Sequence, residues 1–240
     1  AKQRGILVGF ATNGSLLTPT RTKALINVGL DWINVSMDGA TPETFERIRL
    51  GGKFDVVVKN LKGLMAMVGR RRRPKVSVWF VAMQSNLPEL PALVRLVHEL
   101  GVPKLCVQGV HTWGKDPWKA KLQFEQVGDT AQVRETLAEA QRVARSLGVD
   151  FQFVNIPDAE GRRACNWPWR ACYITVEGFV TPCCIHGTDP AVINFGNLLQ
   201  EDFATIWNGP SYQEFRRLLK SPKPHAICQG CPSYCERLQL

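Results

Sequence analysis

The sequence predicts an α/β fold followed by a smaller, cysteine-rich α+β region. Through residue 155, strand-like apolar runs alternate with helical segments, a pattern typical of right-handed βαβ units and a parallel sheet. Seven of the eight cysteines lie in the last third of the chain. We therefore predict two domains, residues 1–158 and 159–240.

Five segments of the first domain have the composition of buried strands. The first, GILVGFAT, is a continuous apolar run, as expected for a parallel strand covered on both faces. The predicted strands are residues 5–12, 32–37, 75–83, 104–110 and 150–155.

Helical segments connect these strands. In TPETFERIRLGG, Thr41 is the predicted N-cap and Pro42 the first helical residue. The predicted helices cover residues 17–30, 41–52, 54–69, 87–101 and 129–148.

Polar residues follow each of the first four predicted strands. Because ligands bind at the carboxyl ends of parallel strands, these residues suggest one shared site. Turn formation and helix capping explain the same residue types equally well. The residues are Thr12, Asn13 and Gly14, Ser36 and Asp38, Gln84 and Asn86, and Gln108.

Charge and hydropathy exclude few functions. The net charge is +9, but the run GRRRRPK has no interleaved aromatic residues, which favours a solvated helix end over a nucleic-acid site.

Neither a transmembrane-length apolar run nor a signal peptide is present, so we expect a cytoplasmic protein without a membrane partner. The sequence begins without Met inside a predicted helix, and we expect it to be a fragment.

The second domain has a different pattern. Residues 171–184 predict a β-hairpin that turns at Glu177 and Gly178. Two short helices, separated by Gly209 and Pro210, follow before a cysteine-rich tail.

The cysteine spacing favours metal or cluster ligation over disulfides. Cys165 and Cys183 flank the hairpin as C-x12-G-x4-C, and Cys228 and Cys231 form C-x2-C. A disulfide framework is typical of small secreted chains without an adequate core. A tetrahedral zinc site uses the same ligands, although seven thiols exceed one four-cysteine site.

The ordered motifs resemble those of radical S-adenosylmethionine (radical SAM) enzymes with a C-terminal SPASM-type, or shorter twitch-type, auxiliary-cluster domain. They are TNG after the first strand, INVSMDGATPETFERIR after the second, GGKFDVVVKNLKGL, VAMQSNLPEL, and the tail pattern C-x-x-P-W … G-x-V-x-P-C-C … FGNL … IWN … C-x-x-C. The resemblance covers nearly the whole chain.

The resemblance implies an incomplete (β/α)6 barrel, of which this chain supplies strands three to six. The family's C-x3-C-x2-C motif for the SAM-cleaving 4Fe–4S cluster, and its G-G-E motif, do not occur in these 240 residues. Either a preceding segment is absent from this sequence, or the chain is a degenerate homologue that does not cleave SAM.

The resemblance also implies a SAM site at the strand ends. Its residues are Thr12, Asn13, Ser36, Asp38 and Arg49. The first two would form the floor, and the next two would lie near the ribose. Arg49 stands where the family often has an arginine near the SAM carboxylate, which a guanidinium binds bidentately, and Arg47 is its close alternative.

For the auxiliary 4Fe–4S cluster, the resemblance implies the ligands Cys165, Cys183, Cys228 and Cys231, with Cys172 and Cys235 as alternates. One cluster is favoured over two, because seven thiols do not ligate two cubanes fully. Cys184 stands where sulfatase-maturing members have an aspartate, which argues against that subtype. Cys106, in a strand, is predicted to be a buried core thiol.

The implied function is that of a radical SAM oxidoreductase, which modifies a peptide or small molecule through a 5′-deoxyadenosyl radical. A flavodoxin or ferredoxin would supply electrons, and Trp113, Asp116 and Trp118 are candidates to contact the substrate. The alternative is a non-catalytic iron–sulfur or zinc-binding scaffold that recognises a peptide.

Overall fold

The computed structural model describes residues 1–110, 125, 127–128, 130–154, 165–229 and 231. These residues form two compact units, the first ending at Val154 and the second beginning at Cys165. The predicted domain boundary between residues 158 and 159 lies outside the described residues and stays a prediction.

The first unit contains a five-stranded sheet, ordered β1-β2-β3-β4-β5, in which every neighbouring pair is parallel. The strands are β1 (Gly9–Thr12), β2 (Trp32–Ser36), β3 (Lys75–Ala82), β4 (Lys104–Gly109) and β5 (Asp150–Val154). The predicted α/β class and parallel sheet are therefore confirmed. The sheet has one strand more than strands three to six of a barrel would supply.

Five helices connect or follow these strands. They are α1 (Pro19–Asn27), α2 (Pro42–Ile48), α3 (Phe54–Val68), α4 (Leu90–Glu99) and α5 (Ala131–Leu147). Helix α2 begins as predicted, with the Thr41 hydroxyl accepting a hydrogen bond from the Thr44 N–H at 3.3 Å and Pro42 at the first helical position. No described helix is both long and apolar enough to cross a bilayer.

The two faces of the sheet differ in chemistry, because side chains alternate along each strand. One face is apolar and inaccessible to solvent, and includes Ile33, Val35, Val78, Phe80, Leu105 and Val107. The other carries polar and aromatic groups around a cavity of about 220 Å³, lined by residues that include Asn34, Ser77, Trp79, Cys106 and Gln152. Cys106 is buried, as predicted, but lies on this polar face rather than in the apolar core.

The described part of the second unit contains the predicted antiparallel hairpin, the two predicted short helices and one further short helix, Trp167–Arg170. Its elements are α6 (Trp167–Arg170), β6 (Tyr173–Ile174), β7 (Val180–Thr181), α7 (Phe203–Asn208) and α8 (Pro210–Leu219). Gly178 adopts φ 89° at the hairpin turn, and a Cβ there would lie 2.7 Å from Asn197 Oδ1. The turn therefore requires glycine. A one-turn 3-10 helix, Ala226–Cys228, precedes the described end of the unit.

The core of the second unit is small and aromatic. Phe195 stacks on Tyr212 with ring centroids 4.2 Å apart, and Phe215 meets Phe195 edge-on at 5.5 Å. The fully buried apolar residues of this core are Val180, Ile206, Tyr212, Phe215 and Leu219. Three cysteines pack against it: Cys165, Cys172 and Cys228.

Candidate functional sites

The loop that follows β2 brings two predicted site residues together. Asp38 is 2% exposed, and its Oδ2 accepts a hydrogen bond from Arg49 Nε at 2.6 Å and forms an ion pair with Nη2 at 2.5 Å. Its Oδ1 accepts a hydrogen bond from the Val81 N–H at 2.8 Å. Burial raises the pKa of Asp38, although the Arg49 charge and the Val81 N–H oppose that rise. Both carboxylate oxygens are thus occupied by protein groups.

Asn86 secures this loop from the end of β3. It is completely buried, and its Nδ2 donates to the carbonyls of Asp38 and Val81, each at 3.0 Å. Its Oδ1 accepts from the Met83 N–H at 2.8 Å. Asn86 therefore ties the ends of β2 and β3 together, and its amide is not free to bind a ligand.

Glu89 secures the same loop from the other side. Its carboxylate accepts hydrogen bonds from the N–H groups of Ala40 and Thr41, at 2.7 and 3.2 Å, and from the hydroxyls of Thr41 and Thr44. Burial acts to raise the pKa of Glu89, but these hydrogen bonds outweigh it and the pKa is lowered. The sequence analysis did not identify Glu89, although it is the acidic residue in the quoted stretch NLPEL.

The structure distinguishes the two candidate arginines. Arg49 follows the last residue of α2 and has left helical geometry, with φ −96° and ψ 73°, and its side chain reaches Asp38. Arg47, in the last turn of α2, donates instead to the Ser85 carbonyl at 3.2 Å.

The turn after β1 is organised locally. Thr12 Oγ1 accepts from the Gly14 N–H at 3.1 Å, and Asn13 Oδ1 accepts from the N–H and hydroxyl of Ser15. Asn60 of α3 donates to the carbonyls of Gly14 and Ser15, each at 3.0 Å. Thr12 and Asn13 thus shape the turn at the end of β1, and their role as the floor of a SAM site stays a prediction.

Of the remaining predicted strand-end residues, Ser36 and Gln108 are half-buried in β2 and β4. The Gln84 N–H donates to the Glu125 carbonyl at 3.1 Å. Trp113, Asp116 and Trp118 lie outside the described residues.

In the second unit, the pKa values of two predicted ligands, Cys165 and Cys228, are influenced by the other predicted ligands. Burial raises the pKa of Cys228 to about 12, and Cys183, Cys231 and Cys165 each contribute to that rise. Burial also raises the pKa of Cys165, with Cys231 and Cys183 adding to it against a lowering hydrogen bond from the backbone at Trp167. Cys165, Cys183 and Cys231 are thus within electrostatic range of Cys228.

The pKa values of the other described thiols of this unit, Cys172 and Cys184, are less affected by the four predicted ligands. Burial alone raises the pKa of Cys172, and Cys184 is influenced only by its neighbour Cys183 besides burial and its own backbone. Cys184 is exposed. Cys235, the second alternate, lies outside the described residues.

Once deprotonated, the four thiols are soft, electron-donating ligands for an iron–sulfur cluster or another thiophilic metal. Neutral thiols become ligands by losing protons to a bound metal, and a cubane takes four such thiolates. A backbone hydrogen bond of 3.2 Å from Cys231 N–H to the Cys228 carbonyl closes the C-x2-C turn. Among the described residues, no three Cys, His, Asp or Glu side chains already surround a common point as a preformed metal site. The fit therefore rests on the thiol chemistry and proximity.

Known proteins share both units. A family model described as "SPASM: Iron-sulfur cluster-binding domain" matches residues 165–232. The chain is 29% identical over 239 residues to a PqqA peptide cyclase of Ruegeria pomeroyi, covering 96% of this chain and 60% of that protein. It is 27% identical over 243 residues to the tungsten-containing aldehyde ferredoxin oxidoreductase cofactor-modifying protein of Pyrococcus furiosus, covering 92% and 64%.

Solved structures support the fold. Streptococcus suis SuiB bound to the precursor peptide SuiA matches with a TM-score of 0.66 at 15% identity, over 96% of this chain and 54% of SuiB. AnSMEcpe with bound AdoMet matches with a TM-score of 0.58 at 15% identity, over 96% of this chain and 64% of that one.

Together the fold and the thiols define a parallel α/β unit followed by an iron–sulfur cluster-binding module. The SPASM match and the curated relatives support the resemblance to radical SAM enzymes with a SPASM-type domain that the ordered motifs indicated. The chain spans 60% and 64% of the two curated relatives described above.

Proposed function

We propose that this chain is the SAM-binding and auxiliary-cluster portion of a radical SAM enzyme that modifies a peptide. In such an enzyme, reductive cleavage of SAM would generate a 5′-deoxyadenosyl radical that abstracts hydrogen from an unactivated C–H bond. The residues of this chain would bind SAM, hold the auxiliary cluster and exclude water from the reaction.

The auxiliary cluster would be held by Cys165, Cys183, Cys228 and Cys231. The observation that carries this assignment is that Cys165 and Cys228 pack against the same core and that Cys183 and Cys231 both raise the pKa of each of them, whereas burial alone raises the pKa of Cys172. We assign one 4Fe–4S cluster rather than two, with Cys184 outside the ligand set.

The test is anaerobic reconstitution of the chain with iron and sulfide, followed by counting of both elements. We expect about four irons per chain, as in one cubane, and loss of most of that iron in Cys183→Ala. The adjacent Cys184→Ala variant is the matched control and should keep the wild-type content. Equal iron loss in both variants would contradict the ligand assignment, and preferential retention of zinc would replace the cluster by a structural metal site.

The SAM site would be formed by Thr12, Asn13, Ser36 and Arg49. Arg49 would bind the SAM carboxylate, because its side chain is 31% exposed and its contacts to Asp38 use Nε and Nη2. Asp38 would act as a positioning residue that fixes the direction of the guanidinium, since both of its oxygens are already engaged. This assignment refines the ribose contact that the resemblance implied for Asp38.

SAM binding to the reconstituted protein tests this assignment. Arg49→Gln should weaken SAM binding by roughly tenfold or more, as expected for loss of a charge-assisted hydrogen bond to a carboxylate. Arg47→Gln is the matched control, two positions earlier on the chain, and should bind SAM as the wild type does. A larger loss in Arg47→Gln than in Arg49→Gln would reverse the assignment.

The substrate we propose is a peptide, by similarity to the PqqA peptide cyclase and to SuiB, whose structure contains a precursor peptide. A flavodoxin or ferredoxin would be the electron donor, and Trp113, Asp116 and Trp118 stay candidates for substrate contact. We also propose a cytoplasmic site of action, because an iron–sulfur protein with free thiols needs a reducing compartment.

A further inference from the structure

The second unit buries a positive charge for which no anion is found among the described residues. Arg216 lies in α8 and is 6% exposed. Its Nε donates to the Pro168 carbonyl at 2.8 Å and its Nη1 to the Trp207 carbonyl at 2.7 Å. Nη2 is buried and has no hydrogen-bond partner in the described part of the chain. No carboxylate of the described residues pairs with it.

Aromatic rings hold the guanidinium in place without neutralising it. Its central carbon lies 4.1 Å from the centroid of the Tyr212 ring and 4.3 Å from that of Trp207. Cation–π contacts stabilise such a group only modestly, whereas burying a charge without a counter-ion is strongly unfavourable. The arrangement is therefore incomplete unless an anion lies nearby.

The core against which Cys165 and Cys228 pack contains Tyr212, the ring that the Arg216 guanidinium contacts. Burial raises the pKa of Tyr212, and both Cys172 and Cys183 raise it further, whereas Arg216 lowers it. Tyr212 is thus within electrostatic range of Arg216 and of the proposed ligand Cys183. In addition, the carbonyl that receives the Arg216 Nε hydrogen bond belongs to Pro168, three residues after Cys165.

A second buried group without a partner lies beside the same cysteines. The Thr181 hydroxyl is completely buried and has no hydrogen-bond partner among the described residues. Thr181 is in β7, two residues before Cys183. The second unit therefore holds two buried donors that lack acceptors among the described residues: one belongs to the Arg216 guanidinium, which contacts Tyr212 of the core against which two proposed ligands pack, and the other is two residues from a third ligand.

We propose that Arg216 supplies the positive counter-charge of the auxiliary cluster, and that the Thr181 hydroxyl donates a hydrogen bond to a cluster or thiolate sulfur. This inference rests on the proposed function. A cubane with four thiolates is a net anion, and its reduction adds further negative charge. Nearby positive charge and hydrogen bonds to sulfur therefore stabilise the reduced cluster and raise its reduction potential.

The experiment is redox titration of the reconstituted chain, followed by electron paramagnetic resonance, for Arg216→Gln and Arg216→Lys. We expect Arg216→Gln to shift the midpoint potential of the cluster to a lower value and to lose iron to a chelator roughly tenfold faster, the loss typical of outer-shell changes. Arg216→Lys should keep most of the wild-type potential, because it keeps the charge. Arg217→Gln is the matched control on the next, exposed position and should leave the potential unchanged.

These variants separate the proposed charge effect from a purely structural one. If Arg216 only joined the Pro168 and Trp207 carbonyls, Lys could not replace it, and both variants would behave alike. Equal potentials in Arg216→Gln and wild type, or equal changes in Arg216→Gln and Arg216→Lys, would overturn the proposal. A wild-type chain that holds no iron would overturn the proposed function together with this inference.

Thr181→Val provides a test that does not depend on the folding of an Arg216 variant. The substitution removes an unpartnered buried hydroxyl, so the metal-free chain should be as stable as the wild type or more stable. The potential of the bound cluster should nevertheless fall, by less than in Arg216→Gln. An unchanged potential in Thr181→Val would remove the hydrogen bond from the proposal.

Discussion

Asp38 in the first unit and Arg216 in the second are both charged side chains buried from water, but protein groups satisfy only the first. Asp38 has an ion pair with Arg49 and an N–H donor from Val81. Arg216 has two carbonyls, two rings and no anion among the described residues. Among the described residues, protein groups thus satisfy the buried charge of Asp38, whereas the proposed cluster would supply the anion that Arg216 lacks.

The apolar core of the first unit is also more extensive than that of the second. The first unit buries apolar side chains from β2, β3 and β4 and from its helices, and several of them, such as Ile33, Leu64 and Leu90, are fully inaccessible. The second relies on five fully buried apolar residues and a few stacked rings. A small core with long connecting loops gains most from a metal centre that cross-links distant segments.

Removal of the proposed cluster should have the largest effect, and we expect it to destabilise the second unit but not the first. Treatment with an iron chelator under anaerobic conditions is expected to abolish amide protection in residues 165–229 while leaving β2 to β4 protected. Hydrogen exchange with mass spectrometry measures both regions in one sample. Parallel loss of protection in the two regions would show that the first unit depends on the cluster as well.

Within the first unit, Asn86→Ala should have the largest effect of a single substitution near the site loop. It leaves the Met83 N–H and two carbonyls without their buried partner, at an expected cost of about 2–4 kcal/mol in the free energy of unfolding. Chemical denaturation measures this cost. Asn27→Ala, at an exposed helix end, is the control and should change stability by less than about 0.5 kcal/mol.

Glu89→Gln should have a smaller, pH-dependent effect. Because the folded pKa of Glu89 is lowered, its carboxylate stabilises the fold above its unfolded pKa, and this contribution is lost as the pH falls through the folded pKa. We expect a loss of about 1–2 kcal/mol at pH 7, where charge-assisted hydrogen bonds are replaced by neutral ones.

Denaturation curves from pH 7 down to below the folded pKa test this, because wild type and Glu89→Gln should converge at the acidic end. The exposed residue Glu43, in the first turn of α2, gives the control Glu43→Gln. A difference between wild type and Glu89→Gln that stays constant across the range would mean that the Glu89 charge does not matter.

The smallest effect is expected for Arg217→Gln. Its ion pair with Glu214 joins side chains that are 67% and 50% exposed, and such pairs contribute less than about 1 kcal/mol. Substitution of Arg216, one residue earlier, would then destabilise the protein more than substitution of Arg217, because only Arg216 is buried. A thermal melt in which Arg217→Gln is destabilised as much as Arg216→Gln would contradict that view.

Sequence patterns predicted the sheet well because hydrophobic runs and helix caps act locally. The order of five strands and the cap at Thr41 follow from short stretches of sequence. The choice between Arg47 and Arg49 could not be made that way. It depends on α2 ending at Ile48, after which the backbone turns and only Arg49 reaches Asp38.

Arg216 shows why the rest of the site was not predicted. An arginine in a short amphipathic helix is usually a surface residue. The available signal was spacing, because Arg216 follows Tyr212 by four positions and precedes Leu219 by three, which places it within the apolar stripe of α8. That the stripe packs beside the thiols depends on contacts between segments far apart in sequence.

The position of the C-x2-C turn near the described end of the second unit imposes an order of assembly. The first proposed ligand, Cys165, follows the last strand of the sheet, whereas Cys228 and Cys231 come after both helices of the second unit. During synthesis, the sheet can therefore fold while the chain is still growing, as domains generally do. Insertion of the proposed cluster would have to wait until Cys228 and Cys231 had emerged from the ribosome, so the sheet would have time to fold before the cluster is inserted.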